Sequence, residues 1–245
     1  INGRRSALIE GEKLIDFDLE FEGNNFQKGS IHKGKVTKIE GSLEAIFVEL
    51  GSSRHGFLPF KELSAEYFDP SKSGDERFKI KEGDDIVIQI QKEERVNKGA
   101  ALSTYISLAS RYIVLMTNHP NGGGISRRIH GEERDKIKNH IEALNVPENM
   151  SVIIRTAGID KQIEELRWDL EYLKKLWVEV DSAIKGSRAT QLIYADQSLI
   201  QKTIRDYFKE DIGELVVDNE DDFNSAKTYT TVSYTHLTLP TNREV

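Results

Sequence analysis

The sequence predicts an α+β fold built around a small β-barrel, and three observations lead to this prediction. Residues 29–110 carry short runs of alternating or β-branched residues separated by glycines, which is typical of barrel strands. Residues 163–184 repeat apolar side chains at three- and four-residue spacing, which is typical of a long amphipathic helix. Residues 7–21 alternate around a polar segment at 10–13, which predicts an opening β-hairpin.

The predicted barrel has five strands, at residues 30–40, 45–50, 56–60, 86–91 and 101–108. Short strands joined by glycine-rich turns favour a closed barrel over a sandwich. Residues 61–68 predict a helical turn, and residues 69–74, which include Pro, Ser and Gly, predict an exposed loop. The barrel is therefore expected to form from one continuous segment of the chain.

Helices and strands alternate after the barrel. Strands are predicted at residues 112–116 and 151–155, helices at 132–144 and 163–184, and a flexible loop at 118–124. The longest helix carries an apolar stripe, which is expected to be core rather than a partner site; it consists of Leu166, Leu170, Leu173 and Trp177.

The last predicted elements are a strand at residues 191–194, a helix at 199–208 and a strand at 214–218. This segment has no partner within its own length. We expect it to pair with the opening hairpin, which would make that domain discontinuous. Residues 230–245 are Thr-rich and lack core periodicity, so we interpret them as an adaptor-derived, non-native tail and leave them out of the predicted fold.

The composition excludes several classes of protein. With 38% hydrophobic and 31% charged residues, the chain is typical of a folded, soluble protein. No apolar run approaches the roughly 18 residues that a membrane span needs, and no export signal is evident. The absence of cysteine excludes disulfides, Cys-bound zinc and thiol catalysis within the chain, and it fits a reducing cytoplasm.

The charge pattern leaves two interpretations open. A net charge of −7 argues mildly against a nucleic-acid binder. Local clusters matter more, because phosphate contacts act over about a Debye length of ~8–10 Å. The clusters are Lys28, Lys33, Lys35 and Lys38, and the adjacent Arg127 and Arg128. Each is either a phosphate-binding patch or a solvated face.

Three motifs in the barrel carry a specific resemblance, at residues 34–36 (GKV), 45–51 (AIFVELG) and 55–59 (HGFLP). They resemble the S-one RNA-binding motif, which is an OB-fold barrel. The resemblance implies that Phe47 and Phe57 lie outside the barrel and stack on bases, each worth ~1–3 kcal/mol. It also implies that His55 and nearby lysines contact the RNA backbone. The alternative is that both Phe side chains belong to the core.

Six further motifs occur in a fixed order, at residues 42–45 (SLEA), 54–59 (RHGFLP), 92–95 (KEER), 97–102 (NKGAAL), 124–129 (GISRRI) and 154–158 (IRTAG). Together they resemble the ribonuclease E/G family, and the N-terminal part of ribonuclease E more than its shorter relative ribonuclease G. The resemblance covers essentially residues 1–229. A single motif of this length is weak, whereas the ordered set is specific.

The resemblance implies a domain plan in which an S-one barrel and an α/β 5′-end sensor domain are inserted into a split ribonuclease H-like subdomain. Its parts are residues 1–25 (first ribonuclease H-like part), 26–108 (barrel), 109–188 (sensor) and 189–229 (second ribonuclease H-like part), followed by the tail at 230–245.

The resemblance also implies two sets of site residues. Single-stranded RNA is bound by the barrel through Phe47, His55, Phe57 and Lys98. A 5′-monophosphate is bound by Arg155 and Thr156, with Val114 against the terminal nucleotide. An Arg fork and a Thr hydroxyl suit phosphate oxygens, although an isolated Arg is also a common surface charge. The family often has glycine where Ser110 stands, which puts the fit of the pocket in doubt.

The implied activity is that of a cytoplasmic endoribonuclease, a hydrolase that cleaves single-stranded RNA in rRNA and tRNA processing and mRNA decay. The resemblance implies a homotetramer, contacts with RNA-degradation machinery, and a peripheral position at the inner membrane. Its magnesium carboxylates and shared zinc lie in segments beyond the residues matched here. We therefore expect this chain to bind RNA without cutting it, and to hold no cofactor, catalytic residue or metal ligand of its own.

Two alternatives to this function stay open. One is a stand-alone RNA-binding or regulatory module without nuclease parentage, and the other is a structural domain with a vestigial barrel. The acidic pairs Asp84–Asp85 and Asp221–Asp222 could hold Mg²⁺ in principle, but we interpret both as solvated turns.

Overall fold

A computed structural model describes residues 3–21, 26–69, 71–72, 78–95, 97–125, 131–195, 198–208 and 212–233. The chain forms two compact units, one of residues 24–196 and one of residues 1–23 with 197–245. The basic pair Arg127 and Arg128 lies outside the described residues, as does the tail from residue 234.

The strands described are β1 (Gly3–Glu10), β2 (Lys13–Phe21), β3 (Ile31–Glu40), β4 (Ala45–Glu49), β5 (Gly56–Pro59), β6 (Asp85–Lys92), β7 (Ala101–Ser103), β8 (Ser107–Ala109), β9 (Ile113–Met116), β10 (Gly124–Ile125), β11 (Ser151–Ile154) and β12 (Gln191–Tyr194). The α-helices described are α1 (Gly131–Ala143), α2 (Ile163–Gly186), α3 (Leu199–Tyr207) and α4 (Glu220–Ser233). No helix of the described chain combines the length and the apolar character needed to cross a bilayer.

The predicted five-stranded barrel is confirmed by β3 to β7. Their sheet order is β3-β4-β5-β7-β6, and β3 also pairs with β6, which closes the sheet into a barrel. Gly34 allows β3 to lie close to β4, because a Cβ at that position would lie 2.5 Å from Val48 Cγ1 and 2.9 Å from Glu49 O. The predicted fifth strand at 101–108 was too long, because only Ala101–Ser103 joins the barrel, while Ser107–Ala109 pairs with β9 in the other sheet. The predicted helical turn at 61–68 is two short 3₁₀ turns, Phe60–Glu62 and Ala65–Tyr67.

A second sheet in the same unit has the order β10-β11-β9-β8 and packs against α1 and α2. The predicted apolar stripe of α2 is core, since Leu166, Leu170 and Leu173 are fully buried and Trp177 packs against them. A capping box starts this helix, in which the Gln162 backbone N–H donates to Glu165 Oε2 at 3.1 Å.

The expected pairing of the strand at residues 191–194 with the opening hairpin was wrong. Strand β12 pairs antiparallel with β3 of the barrel, with Leu192 opposite His32, and not with the opening hairpin. The physical reason is burial, because Ile193 and Tyr194 pack against the core cluster that also contains Ile31. The compact units separate after residue 196, and the predicted four-part domain plan stays a prediction.

The other unit contains the hairpin β1–β2 with α3 and α4. The hairpin and the helix at 199–208 are confirmed, and Arg4 links the hairpin to α4 through an Nε bond of 2.9 Å to Asp222 Oδ1. Asp222 is buried, so its interpretation as part of a solvated turn was wrong, whereas Asp84 and Asp85 are exposed as expected. The ribonuclease H-like character of this unit stays a prediction.

Two further expectations for this unit are wrong. Residues 214–218 form no strand, because Leu215 and Val216 are exposed and no described strand lies beside them. Helix α4 was not predicted and extends to Ser233, with Thr230 buried and its hydroxyl bonded to Ala226 O at 2.9 Å. Residues 230–233 therefore belong to the fold, while the origin of the tail stays a prediction.

Candidate RNA-binding site

Two aromatic rings stand side by side on the outer face of the barrel. Phe47 on β4 lies directly opposite Phe57 on β5, and their ring centroids are 6.0 Å apart in an edge-to-face arrangement. Their strand neighbours Ile46, Val48 and Leu58 are fully buried. Since side chains alternate along a strand, the two rings point away from the core. Phe57 is 36% exposed, and the alternative that both rings belong to the core is wrong.

Lys98 is held next to this aromatic pair by a tight loop. The backbone N–H groups of Arg95 and Lys98 each donate to the other residue's carbonyl, at 2.8 and 3.0 Å. A Cβ at Gly99 would lie only 2.0 Å from His55 O. Only glycine therefore lets this loop come so close to the backbone of His55, which directly precedes β5. The backbone of the exposed residue Lys98 is thereby held close to the strand that carries Phe57.

His55 completes the group. Its Nδ1 lies 3.2 Å from Thr37 Oγ1, and the same hydroxyl donates to Phe47 O at 3.0 Å. The predicted residues Phe47, His55, Phe57 and Lys98 thus lie together on one face, which we call the aromatic face. Exposed rings beside a cation and an imidazole are the groups that stack on bases and contact a phosphate backbone.

Lys92 is a further cation at this face that sequence reasoning missed. Phe57 is registered with Ala101 on β7, and Ala101 is registered with Lys92 on β6. The exposed Lys92 therefore lies two strands away from Phe57, with β7 between them. The signal available in the sequence was its position at the end of the alternating strand that precedes residues 93–95.

Two of the four clustered lysines, Lys33 and Lys38, have ammonium groups that are bonded within the protein. Lys33 Nζ donates to Ile184 O at 3.3 Å and Ser187 O at 2.9 Å, so it caps the C-terminus of α2. Lys38 Nζ lies 2.6 Å from Glu40 Oε2, and this hydrogen bond lowers the pKa of Glu40 to about 2. For these two lysines, the interpretation as a phosphate-binding patch is therefore not supported.

A second predicted group lies in the other sheet, where β11 ends beside the start of β9. Arg155 follows β11, and its Nη1 donates to Ser110 O at 2.7 Å. Val114 on β9 is registered between Ile153 of β11 and Ala109 of β8, on the less buried face of the sheet. Thr156 is exposed and begins a 3₁₀ turn directly after Arg155. We call this group of Val114, Arg155 and Thr156 the sensor edge.

Asp169 organises the loop next to the sensor edge, and sequence reasoning missed it. Its Oδ2 accepts bonds from Ser110 Oγ at 2.5 Å, Tyr112 N at 2.9 Å and Ile113 N at 3.0 Å. Burial raises the pKa of Asp169, although these hydrogen bonds and the nearby Arg155 guanidinium act in the opposite direction. The available signal was an acidic residue within the apolar stripe of α2, three residues after Leu166.

Ser110 stands where the family often has glycine, and its side chain is buried inside the protein. Ser110 is 4% exposed, and its Oγ lies within bonding distance of both Asp169 Oδ2 and Ile113 O. Its carbonyl, rather than its hydroxyl, bonds Arg155. The serine side chain therefore does not occupy space on the exposed side of Arg155.

Replacing Asp169 with alanine should lower the free energy of unfolding by about 1–3 kcal/mol, because the backbone N–H groups of Tyr112 and Ile113 lose their acceptor, while Ser110 Oγ keeps only Ile113 O. Since burial raises the pKa of Asp169 above its unfolded value, its contribution is present below the unfolded pKa and decreases as pH rises through the folded pKa. The stability difference between wild type and Asp169→Ala should therefore shrink with rising pH. Urea unfolding at several pH values measures it.

The matched control is Glu171→Ala, which removes an exposed carboxylate of the same helix that pairs only at the surface with Lys174. A loss of stability for Asp169→Ala no larger than that of Glu171→Ala would show that Asp169 does not hold the loop.

Two family models match this chain. A model described as "Ribonuclease E/G family" matches residues 107–239, and one described as "S1 RNA binding domain" matches residues 25–105. The first match reaches past residue 230 and so includes part of the stretch that we interpret as an adaptor-derived tail. The second covers the barrel, whose S-one resemblance is thereby confirmed.

Three curated relatives show the extent of the similarity. Ribonuclease E of Escherichia coli (strain K12) is 48% identical over 219 residues, which is 88% of this chain and 21% of that protein. "Putative ribonuclease E" of Buchnera aphidicola subsp. Baizongia pistaciae is 44% identical over 92% of this chain and 56% of its own. Ribonuclease G of Haemophilus influenzae is 32% identical over 94% of this chain and 48% of its own.

The chain thus spans between a fifth and about half of the length of these relatives. Identity is higher to ribonuclease E than to ribonuclease G, as the ordered motifs predicted. Because one family model alone covers more than half of the sequence, and the second covers the barrel that precedes it, this chain belongs to the ribonuclease E/G family.

Proposed function

We propose that this chain binds single-stranded RNA on its barrel and recognises a 5′-monophosphate at the sensor edge, as the RNA-binding part of a ribonuclease E-like endoribonuclease. The observation that carries the proposal is the outward-facing pair Phe47 and Phe57 above a fully buried layer of strand neighbours. Two adjacent outward-facing rings, one half-buried and one exposed, have little structural use on a barrel surface, but they are suited to stacking on unpaired bases.

The binding of single strands would combine stacking with charge. Each base stacked on Phe47 or Phe57 contributes ~1–3 kcal/mol, and it does so with little sequence preference because every base has a π-face. The exposed residues Lys98, in the loop beside His55, and Lys92, two strands from Phe57, would neutralise backbone phosphates. A duplex hides its base faces, so the aromatic face should prefer single-stranded RNA.

The recognition of the 5′ end would depend on Arg155. A guanidinium carries five N–H donors in a rigid fork, so the bond to Ser110 O orients the group without by itself exhausting its donors. The exposed Thr156 would add a hydroxyl donor, and Val114 would contact the terminal nucleotide. A 5′-hydroxyl end lacks the charge that this arrangement binds, which provides selectivity.

Cleavage belongs to the proposal for the longer enzyme and not to this chain. As the resemblance implies, the magnesium carboxylates and the shared zinc would lie outside these residues, and magnesium would there supply an activated water for phosphodiester hydrolysis. The substrates would be rRNA and tRNA precursors and mRNA. A homotetramer, contacts with RNA-degradation machinery, and a cytoplasmic or membrane-peripheral location are proposed for the longer enzyme on the same basis.

Fluorescence anisotropy with a labelled single-stranded RNA and the matching duplex tests the binding proposal. The affinity for the single strand should exceed that for the duplex and should fall steeply with salt, with a slope of about −0.7 for each phosphate contacted. An affinity that does not change with salt, or equal affinity for both RNAs, would contradict binding by the aromatic face and its lysines.

A further inference from the structure

The hydroxyl group of Thr37 contacts two groups of the aromatic face at once. Thr37 Oγ1 lies 3.0 Å from the carbonyl oxygen of Phe47 and 3.2 Å from Nδ1 of His55. Thr37 is half-buried, whereas His55 is exposed. The hydroxyl therefore links the strand of Phe47 to an imidazole that solvent reaches, and this link has no part in the function proposed so far.

A β-bulge places this hydroxyl. Residues 36 and 38 of β3 are registered with the consecutive residues 48 and 47 of β4, so Thr37 is an extra residue between two neighbouring pairs. A bulge leaves its extra residue out of the ladder and re-aims its side chain. Here the hydroxyl of that residue bonds the carbonyl of Phe47. The bulge lies opposite an aromatic residue of the proposed binding face, and it directs a polar side chain to that face.

The two contacts of the hydroxyl fix where the protons lie. A hydroxyl carries one proton and a carbonyl oxygen only accepts, so Thr37 Oγ1 donates to Phe47 O. The same hydroxyl then accepts from His55, which requires a proton on Nδ1. The reverse arrangement would leave two oxygen atoms 3.0 Å apart with no proton between them. Because the bond of one ring nitrogen sets the tautomer of a neutral imidazole, Nε2 carries the lone pair.

Nε2 of the neutral His55 ring is thus an acceptor. Among the described residues, the ring bonds Thr37 and no other side chain. A lone pair does not bind phosphate oxygens, which are acceptors themselves. The donors of a single-stranded RNA are the 2′-hydroxyl groups of its sugars and the amino groups of its bases. A base stacked on Phe47 or Phe57 brings both kinds of donor to the face on which His55 lies.

We propose that His55 Nε2 accepts a hydrogen bond from the 2′-hydroxyl of a nucleotide bound on the aromatic face, and that Thr37 is the positioning residue that holds the ring in the required tautomer. The inference rests on the proposed function, because that function brings nucleotides to this face. We assign the donor to the sugar because every ribonucleotide carries a 2′-hydroxyl, and stacking on the rings tolerates any base. The contact distinguishes RNA from DNA.

The test compares an oligouridine RNA with the same strand in which fluorine replaces every 2′-hydroxyl. Fluorine removes the donor, and uracil carries no amino group, so this pair of strands isolates the 2′-hydroxyl. Binding is measured at about pH 8, which is above the range in which histidine commonly gains a proton. The preference of the wild type for the RNA strand should fall by about 2- to 10-fold in His55→Ala, as for loss of one uncharged hydrogen bond.

Two variants of Thr37 test its positioning role. Valine has a similar shape but no hydroxyl, so Thr37→Val should lower the preference for the RNA strand, whereas Thr37→Ser should retain it. Nitrogen-15 NMR of the free protein gives a second readout. The proton should lie on Nδ1 of His55 in the wild type and in Thr37→Ser, and on both nitrogens in exchange in Thr37→Val. The control is Ser71→Ala, which removes an exposed hydroxyl bonded to Asp69 and should change neither readout.

Three results would overturn the inference. A wild-type ring protonated on Nε2 alone would contradict the proton positions. A preference for the RNA strand that is unchanged in His55→Ala would exclude the 2′-hydroxyl, and a simultaneous loss of affinity for oligocytidine would assign the donor to a base amino group. A weaker salt dependence of binding in His55→Ala would assign the ring to a phosphate. Failure of the proposed function differs from all three, because Phe57→Ala would then bind both strands as the wild type does.

Discussion

Replacing Arg155 with alanine is expected to abolish the preference for 5′-monophosphorylated over 5′-hydroxyl RNA, while most of the general affinity for single strands remains. The guanidinium is held at the sensor edge by Ser110 O at 2.7 Å, beside the exposed Thr156. The aromatic face uses other residues of the barrel, so its contribution should persist. Competition binding with two strands that differ only in their 5′ end measures the ratio.

Arg155→Lys and Arg167→Ala are the controls for this prediction. Lysine keeps the charge but not the bidentate fork, so Arg155→Lys should retain only part of the preference. Arg167 is an exposed arginine of α2, and its removal should leave the ratio unchanged. An equal loss of affinity for both strands in Arg155→Ala would contradict the assignment of Arg155 to the terminal phosphate.

Replacing Phe57 with alanine should weaken the binding of all single-stranded RNAs by ~1–3 kcal/mol, which is about 5- to 150-fold in dissociation constant. The loss should be similar for 5′-monophosphate and 5′-hydroxyl strands, because stacking does not involve the terminal phosphate. The variant should remain folded, because Phe57 is 36% exposed and does not belong to the barrel core. Anisotropy titrations and circular dichroism measure the two properties.

Phe17→Ala provides the matched control. Phe17 on β2 is 48% exposed, so its removal deletes a similar exposed ring from the other unit and should leave RNA affinity unchanged. Phe57→Trp should retain affinity, because indole also stacks on bases. A Phe57→Ala variant that binds RNA normally would show that this ring has no role in binding. A variant that unfolds would show that the role of the ring is structural.

The barrel was predictable because its strands are short runs of alternating or β-branched residues separated by glycines. In β4 and β5 the alternation buries Ile46, Val48 and Leu58, and it places Phe47 and Phe57 outside. Alternation alone does not say which face is the inside, however, so two aromatic residues in short strands could also have been core. The motif resemblance decided between the two faces, and the structure confirms that decision.

Other features depend on distant partners that a local pattern does not encode. A strand of four residues such as β12 pairs equally well with any free edge, so its pairing with β3 is settled by the packing of Ile193 and Tyr194. The helix-capping bonds of Lys33 depend likewise on residues about 150 positions away. For Asp169, the unusual acidic residue in an apolar stripe was visible, but its three donors were not.

Amide chemical-shift mapping of the protein with a 5′-monophosphorylated single strand tests the central claim most directly. The account predicts perturbations at two places, around Phe47, His55, Phe57 and Lys98 on the barrel, and around Arg155 and Thr156 at the sensor edge. With a 5′-hydroxyl strand, only the first set should persist. Perturbations confined to the hairpin β1–β2 or to α4, with both predicted groups silent, would contradict it.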